Sequence, residues 1–164
     1  MGVAIIVCLF VIVFGAVKSV VIVPNGSAYI VERLGRYRRT LPPGLNFIVP
    51  IVDRVAFRHV LMPQTEELSD VYETKDRHRA TLAASFRFQV LDAQRASYAA
   101  ADYLDLVRHL MRTSQKRYVE TQTWDALRED TRSLEREVLN YVLAPAEAVG
   151  VRVLEYQMRD LHLV

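Results

Sequence analysis

The sequence has little that disulfide or metal chemistry could use. Its single cysteine, Cys8, allows no disulfide bond within one chain. No His-Glu-x-x-His motif and no cysteine–histidine cluster is present, which excludes the common zinc-dependent classes. The four histidines are widely separated along the chain: His59, His78, His109 and His162. A lone histidine of this kind is typical of a surface or packed side chain.

Motifs for enzymatic catalysis are also missing. The sequence contains no Gly-x-Ser-x-Gly nucleophile elbow, no P-loop and no dinucleotide-binding fingerprint. Glu66 and Glu67 are adjacent carboxylates, but neighbouring residues on a strand point to opposite faces and would not converge on one substrate. The sequence contains no basic helix with interleaved aromatic residues, which would be the signal for nucleic-acid binding. We therefore expect no catalytic site, no cofactor, no small-molecule substrate and no nucleic-acid partner.

The first seventeen residues carry no charged side chain, and Lys18 ends this segment. As a helix the segment would be roughly 26 Å long at ~1.5 Å per residue, close to the thickness of a bilayer core. A signal peptide would need a basic start and a small-x-small cleavage site, which are missing, and an all-round apolar terminal segment disfavours a core helix. We therefore predict a transmembrane anchor over residues 1–18, with these lipid-facing side chains: Val3, Ile5, Ile6, Leu9, Phe10, Ile12 and Phe14.

The distribution of charge predicts the orientation of this anchor. Between Lys18 and Val60 the chain has seven basic residues and only two acidic ones. The positive-inside rule then predicts a single-pass protein of the cell (inner) membrane, with its N-terminus outside and its main domain in the cytoplasm. The same basic surface would be attracted to anionic headgroups.

The first half of the body reads as strands. β-Branched and apolar runs are separated by turn residues at Pro24-Asn25-Gly26, Gly35 and Pro42-Pro43-Gly44, and further runs cover 46–52 and 54–60. Residues 81–90 alternate apolar and polar side chains, which predicts an antiparallel strand with one buried face.

The second half reads as helices followed by a strand. Asp102 is a suitable N-cap for a helix to about Tyr118, and Thr123 or Asp125 can begin a second helix that ends near Pro145. Gly150 and the apolar run 151–158 predict a closing strand. The order predicts an α+β fold: an antiparallel β-rich subdomain over 19–95, then a helical subdomain with a closing strand over 96–164.

Several spaced motifs together resemble the SPFH or band 7 superfamily, which includes stomatin, prohibitin, flotillin and HflK–HflC. The resemblance is strongest to its stomatin-like (slipin) branch. The motifs are VPNG at 23–26, IVERLGRY at 30–37, RTLPPGLNF at 39–47 and PIVDRV at 50–55. They contain the signature residues Pro24, Gly26, Glu32, Arg33, Gly35, Tyr37, Pro43, Gly44, Pro50 and Asp53. Gly150-Val151 and Arg159-Asp160-Leu161 resemble the closing strand of the family, so the resemblance covers nearly the whole chain.

The resemblance implies a non-enzymatic membrane scaffold. Relatives form large homo- or hetero-oligomeric rings or cages, organise membrane regions and modulate membrane proteins such as ion channels and membrane-bound proteases. The expected partners are therefore the lipid bilayer, further copies of the chain and membrane proteins, including a protease or an NfeD-like protein. An alternative is a regulatory subunit of a membrane-bound protease that acts without forming a ring. Relatives continue into a long coiled coil after the closing strand, and the sequence to Val164 contains no such segment.

Two surfaces are predicted to make contacts. An apolar loop beside a basic patch and an anchor favours contact with the membrane surface, through Arg36, Arg38, Arg39, Leu45, Phe47 and Ile48. The charged outer face of the predicted second helix is the expected oligomer contact, through Arg128, Glu129, Arg132 and Arg136.

Overall fold

The computed structural model describes residues 19–164. The described chain forms two compact units, which meet in sequence between Leu61 and Met62. Both are built from antiparallel strands, and the second also contains helices, so the α+β class is confirmed. The predicted anchor over 1–18 lies outside the described residues. Among residues 19–164 no helix is long and apolar enough to cross a bilayer.

The first unit contains five strands. These are β1 (Val20–Val23), β2 (Ser27–Arg33), β3 (Arg36–Leu41), β4 (Gly44–Phe47) and β5 (Asp53–Val60). β1 pairs with β4, while β2 lies between β3 and β5. The core contains Val23, Val31 and Leu41 as fully buried residues, and the half-buried Ile48 and Val55 pack against them.

The second unit is a three-stranded sheet with helices on one face. Its strands are β6 (Gln64–Glu73), β7 (Arg79–Val90) and β8 (Val151–Leu163), in the order β6-β7-β8. Its helices are α1 (Ala93–Tyr98), α2 (Tyr103–Val119), α3 (Trp124–Glu129) and α4 (Thr131–Ala148). The alternation predicted for residues 81–90 is confirmed, because the even-numbered residues of β7 are buried beneath the helices.

Two buried side-chain hydrogen bonds connect α2 to the sheet of the second unit. The Tyr72 hydroxyl donates to Gln115 Oε1 at 2.7 Å, and Gln115 Nε2 donates to the Tyr156 hydroxyl at 2.6 Å. Gln115 thereby joins α2 to both outer strands of the sheet, β6 and β8. Burial raises the pKa of both tyrosines, that of Tyr156 to about 12, so both remain neutral at pH 7.

The helices of the second unit follow the prediction at their ends but not at Asp130. Asp102 caps α2, as predicted, by accepting from the backbone N–H of Leu104 at 2.8 Å. The single helix predicted from Thr123 or Asp125 is instead two helices. Asp130 has non-helical backbone angles (φ −125°, ψ 71°), and its side chain accepts from Ser133 N–H to cap α4, so the helix is interrupted there. α4 ends at Ala148, three residues beyond Pro145 and therefore near the predicted end.

The strand boundaries also differ from the sequence pattern. The apolar run 46–52 is not one strand: β4 ends at Phe47, and a turn around Pro50 follows. The short helix α1 was not predicted, although Asp92 caps it in the usual way. The closing strand is longer than predicted and extends to Leu163. The predicted division into subdomains 19–95 and 96–164 stays a prediction.

Candidate membrane-contact surface

One face of the β1–β4 pair is apolar and exposed. Val20 lies opposite Phe47 and Ile22 lies opposite Leu45, so all four side chains share a face. Ile22 is 71%, Leu45 63% and Phe47 61% exposed. The intervening Val21 and Val23 point inward to the core. This strand pair therefore presents apolar side chains on both of its faces, and only one face is covered within the unit.

A tight loop follows β4 and is held by Asp53. Val52 N–H donates to the carbonyl of Val49 at 3.1 Å, with Pro50 at the turn position that suits its fixed φ. The Asp53 backbone N–H donates to the same carbonyl at 2.7 Å, and the Asp53 carboxylate accepts from Val49 N–H at 3.0 Å. The loop leaves Ile51 92% exposed, whereas Ile48 packs into the core.

Asp53 is also the centre of an arginine cluster. Arg33 donates to both carboxylate oxygens, at 2.7 and 3.1 Å, and Arg38 lies 3.6 Å from one of them. The Asp53 side chain is only 2% exposed. The Val49 N–H and the Arg33 guanidinium lower the pKa of Asp53 against the opposing effect of desolvation. Asp53 is therefore ionised at neutral pH and compensates the charge of its neighbours.

The remaining basic residues of the predicted surface lie on or beside β3. Arg36 is exposed at the start of the strand. Arg39 donates to the carbonyl of Phe47, which links β3 to β4. On β5, outside the predicted surface, Arg54 pairs with the buried Glu32 at 3.0 Å. The structure thus brings the arginines and the exposed residues Leu45 and Phe47 into one unit; their contact with lipid stays a prediction.

The residues of the family signature shape this unit. Leu34 (φ 51°) and Gly35 (φ 79°) form a two-residue turn between β2 and β3, which requires positive φ at both positions. Pro24 and Gly26 lie in the turn between β1 and β2, closed by Ser27 N–H donating to the Pro24 carbonyl. Pro43 directly precedes β4, and Gly44 is the first residue of that strand. Tyr37 lies on β3, where its hydroxyl is 3.1 Å from the Thr40 hydroxyl.

The predicted oligomer contact is a charged and exposed surface of the second unit. Arg128 and Glu129 lie on α3, and Arg132 and Arg136 lie one turn apart on α4. The Arg128 guanidinium lies 5.8 Å from the centre of the Trp124 ring. Because Asp130 breaks the helix, Glu129 and Arg132 are not neighbours on one continuous helix. A role in assembly stays a prediction.

The histidines have separate environments. His59 is buried and its ring stacks on Phe57, and desolvation lowers its pKa. His78 lies 3.0 Å from Asp76 and His162 lies 3.0 Å from Asp160. Within residues 19–164, no three histidine, cysteine, aspartate or glutamate side chains are close enough to hold a metal ion together.

Sequence reasoning missed part of the apolar surface. Leu34, at the β2–β3 turn, is 81% exposed, and Val49 is exposed in the loop after β4. Neither was predicted as a contact residue. Turn positions usually hold Gly, Asn, Asp or Ser, so an aliphatic residue directly before Gly35 in the predicted turn was the available signal.

Comparison with known proteins defines the class. The SPFH domain / Band 7 family matches residues 21–163, and the chain therefore belongs to this family. Its relatives include stomatin-like protein 2, mitochondrial, of Homo sapiens, 29% identical over 147 residues that cover 88% of this chain and 41% of the relative. A stomatin-like protein of Caenorhabditis elegans is 31% identical over 147 residues (86% and 44%). An uncharacterized protein of Schizosaccharomyces pombe is 31% identical over 140 residues (85% and 40%).

These relatives agree with the resemblance seen in the sequence motifs, including the stomatin-like branch. The chain spans about two-fifths of the length of the curated relatives that it matches.

Proposed function

We propose that the protein is a membrane-anchored, non-enzymatic scaffold that assembles with copies of itself and modulates partner membrane proteins. The observation that carries this proposal is the exposed apolar face of β1 and β4, which begins two residues after Lys18. The uncharged segment 1–17 and this face are adjacent in sequence. One bilayer could therefore cover both.

The size of the apolar surface supports attachment at the membrane. Full burial of a large aliphatic or aromatic side chain contributes about 1.5–3 kcal/mol. Half-burial of Ile22, Leu45, Phe47 and Ile51 would then contribute about 3–6 kcal/mol in total. A basic residue near an anionic surface adds about 1 kcal/mol. These contributions are enough to fix the orientation of the first unit on a bilayer to which the chain is already tethered.

Assembly would use the second unit. The exposed charges on α3 and α4, Arg128, Glu129, Arg132 and Arg136, are available to acidic and basic groups of a neighbouring copy. Identical subunits that meet head to tail close into a ring when the rotation permits. Exposed ion pairs contribute only ~0–1 kcal/mol each, so confinement to the membrane plane must supply much of the affinity.

The compartment and partners follow from the same proposal. The excess of basic residues between Lys18 and Val60 favours a single-pass arrangement with the body in the cytoplasm and the N-terminus outside, in a cell or inner membrane. Membrane proteins, among them a membrane-bound protease or an NfeD-like protein, are the proposed partners.

The experiment is size measurement after extraction of the full chain from membranes in mild detergent. We expect a large homo-oligomer by size-exclusion chromatography with light scattering. Arg132→Glu combined with Arg136→Glu should reduce its mass, while Arg95→Glu with Arg152→Glu, two exposed arginines that make the same change in net charge, should not. A small complex with a single partner protein would contradict self-assembly and favour the regulatory subunit. A double variant that assembles normally would contradict the placement of the contact on α4.

A further inference from the structure

The sheet of the second unit has two edge strands, and one of them is protected against further pairing. Register shifts between β7 and β8 leave Leu154 and Arg159 as extra residues in bulges of β8. The backbone N–H of Met158 in β8 also donates to Oε1 of Glu135 on α4 at 2.8 Å. Bulges and covering groups are common means of keeping a sheet edge from pairing with another chain.

The opposite edge strand, β6, has neither kind of protection. Its ten residues pair with β7 in one continuous register, without a bulge or a proline. Alternate residues of an antiparallel edge strand direct their N–H and C=O groups away from the sheet. Within residues 19–164, no group outside β7 forms a hydrogen bond with the backbone of residues 65–73. β6 therefore offers a regular row of backbone donors and acceptors to a further strand.

The side chains of β6 are acidic on both faces of the sheet. The strand contains no basic residue and four acidic ones: Glu66, Glu67, Asp70 and Glu73. Glu66 and Asp70 lie on the face that the helices cover, where each pairs with an arginine of α2. Glu67 and Glu73 lie on the open face, because side chains alternate along a strand.

The open face of β6 defines what an added strand would meet. Glu67 lies opposite Ser85 and Glu73 lies opposite Arg79 in β7. Neither glutamate forms an ion pair within residues 19–164. Val71 lies between them on the same face and is 46% exposed. Cross-strand pairs of opposite charge are favourable and pairs of like charge are unfavourable. A basic strand with an apolar residue opposite Val71 would therefore fit this edge.

We propose that β6 is a docking edge for an extended basic segment of a partner protein, which pairs with it as an added antiparallel strand. In strand addition, backbone hydrogen bonds give affinity and alternate side chains give specificity. The same carboxylates disfavour pairing with the β6 strand of a second copy, which would bring four more acidic residues to the edge. The inference goes beyond the proposed function, because neither the anchoring nor the self-assembly described there uses this edge.

The test uses the full chain in an uncharged detergent and a fluorescein-labelled peptide, Lys-Thr-Val-Thr-Thr-Thr-Lys-Thr-Thr. In antiparallel alignment its lysines lie opposite Glu73 and Glu67, and its valine lies opposite Val71. We expect saturable binding by fluorescence anisotropy, and no binding of the peptide in which glutamate replaces both lysines. Failure of the lysine peptide to bind saturably would overturn the proposal.

Charge reversal in the protein tests the placement of the site. Glu67→Lys with Glu73→Lys should weaken binding of the lysine peptide by about tenfold or more and should permit binding of the glutamate peptide. Glu155→Lys with Asp160→Lys is the matched control, since both are exposed on the same face at the β8 edge and make the same change in net charge. Equal weakening by both pairs would assign binding to general charge attraction and contradict docking at β6.

The peptide backbone separates strand addition from attraction between side chains. Only one edge of the bound peptide would face β6, so N-methylation of one set of alternate residues should abolish binding, and N-methylation of the other set should not. Hydrogen exchange of the full chain should show added protection in β6 and none in β8 when the peptide is bound. Binding that survives N-methylation of either set would contradict strand addition.

Discussion

Gly150 joins α4 to β8 at a position that has no space for a side chain. Its φ is +79°, and a Cβ there would lie 2.6 Å from the carbonyl oxygen of Asp92 and 2.9 Å from the Cβ of Arg95. The Gly150 carbonyl accepts from the N–H groups of Leu91 and Asp92, so the two backbones cannot separate freely. Gly150→Ala should therefore strain the junction between β7, α1, α4 and β8.

The expected loss of stability can be divided between two causes. Left-handed backbone with a Cβ costs about 1–2 kcal/mol, and overpacking against a fixed neighbour adds about 1–3 kcal/mol. Gly35→Ala separates these effects, since Gly35 has the same φ of +79° but nothing lies within 4 Å of its added Cβ. We expect Gly150→Ala to cost about 2–5 kcal/mol and Gly35→Ala about 1–2 kcal/mol.

The assay is urea unfolding of the full chain in detergent. Hydrogen exchange with mass spectrometry monitors the unfolding, so that peptides from each unit report the stability of that unit separately. Fluorescence of Trp124, the single tryptophan of the sequence, reports on the second unit independently. If Gly150→Ala destabilised its unit no more than Gly35→Ala destabilises the first, the close approach of Asp92 would not be a constraint on this position.

Two further predictions concern buried polar groups. Gln115→Leu should lower the unfolding free energy of the second unit by about 2–4 kcal/mol in urea, because the buried hydroxyls of Tyr72 and Tyr156 each lose a hydrogen-bond partner. Gln94→Leu, at an exposed position, is the control and should change the unfolding free energy little. Equal losses in the two variants would contradict a stabilising role for the Tyr72–Gln115–Tyr156 hydrogen bonds. Burial lowers the pKa of His59 in the folded state from its usual 6.5, so stability is full above pH 6.5 and is lost as pH falls from 6.5 through the lower folded-state pKa. His59→Gln should flatten the decline in unfolding free energy between pH 7 and 5, and an unchanged slope would contradict this assignment.

Local patterns predicted much of the second unit. The alternation along β7 and the N-cap at Asp102 depend on neighbouring residues, and both are present as expected. The break at Asp130 was missed because the apolar stripe continues across it from Leu127 to Leu134, and only the capping contact with Ser133 shows where α4 begins.

The candidate surface was predictable only in part. Leu45 and Phe47 could be chosen from their apolar character near a basic segment, but Ile48 packs inward while its neighbour Val49 is exposed. The Arg33–Asp53 pair joins residues twenty positions apart through the register of β2 and β5. No local pattern contains that register, so the contact that fixes the loop was not visible in the sequence.

The most direct test of the account is photocrosslinking of the full chain to lipid in native-like membranes. Phospholipids with a photoactivatable acyl chain would be crosslinked and the modified peptides mapped by mass spectrometry. We expect adducts in residues 1–18 and also in β1, β4 and the loop 48–52, with none in α4. Adducts confined to residues 1–18 would contradict a lipid-facing first unit, and the absence of adducts throughout the chain would contradict membrane attachment itself.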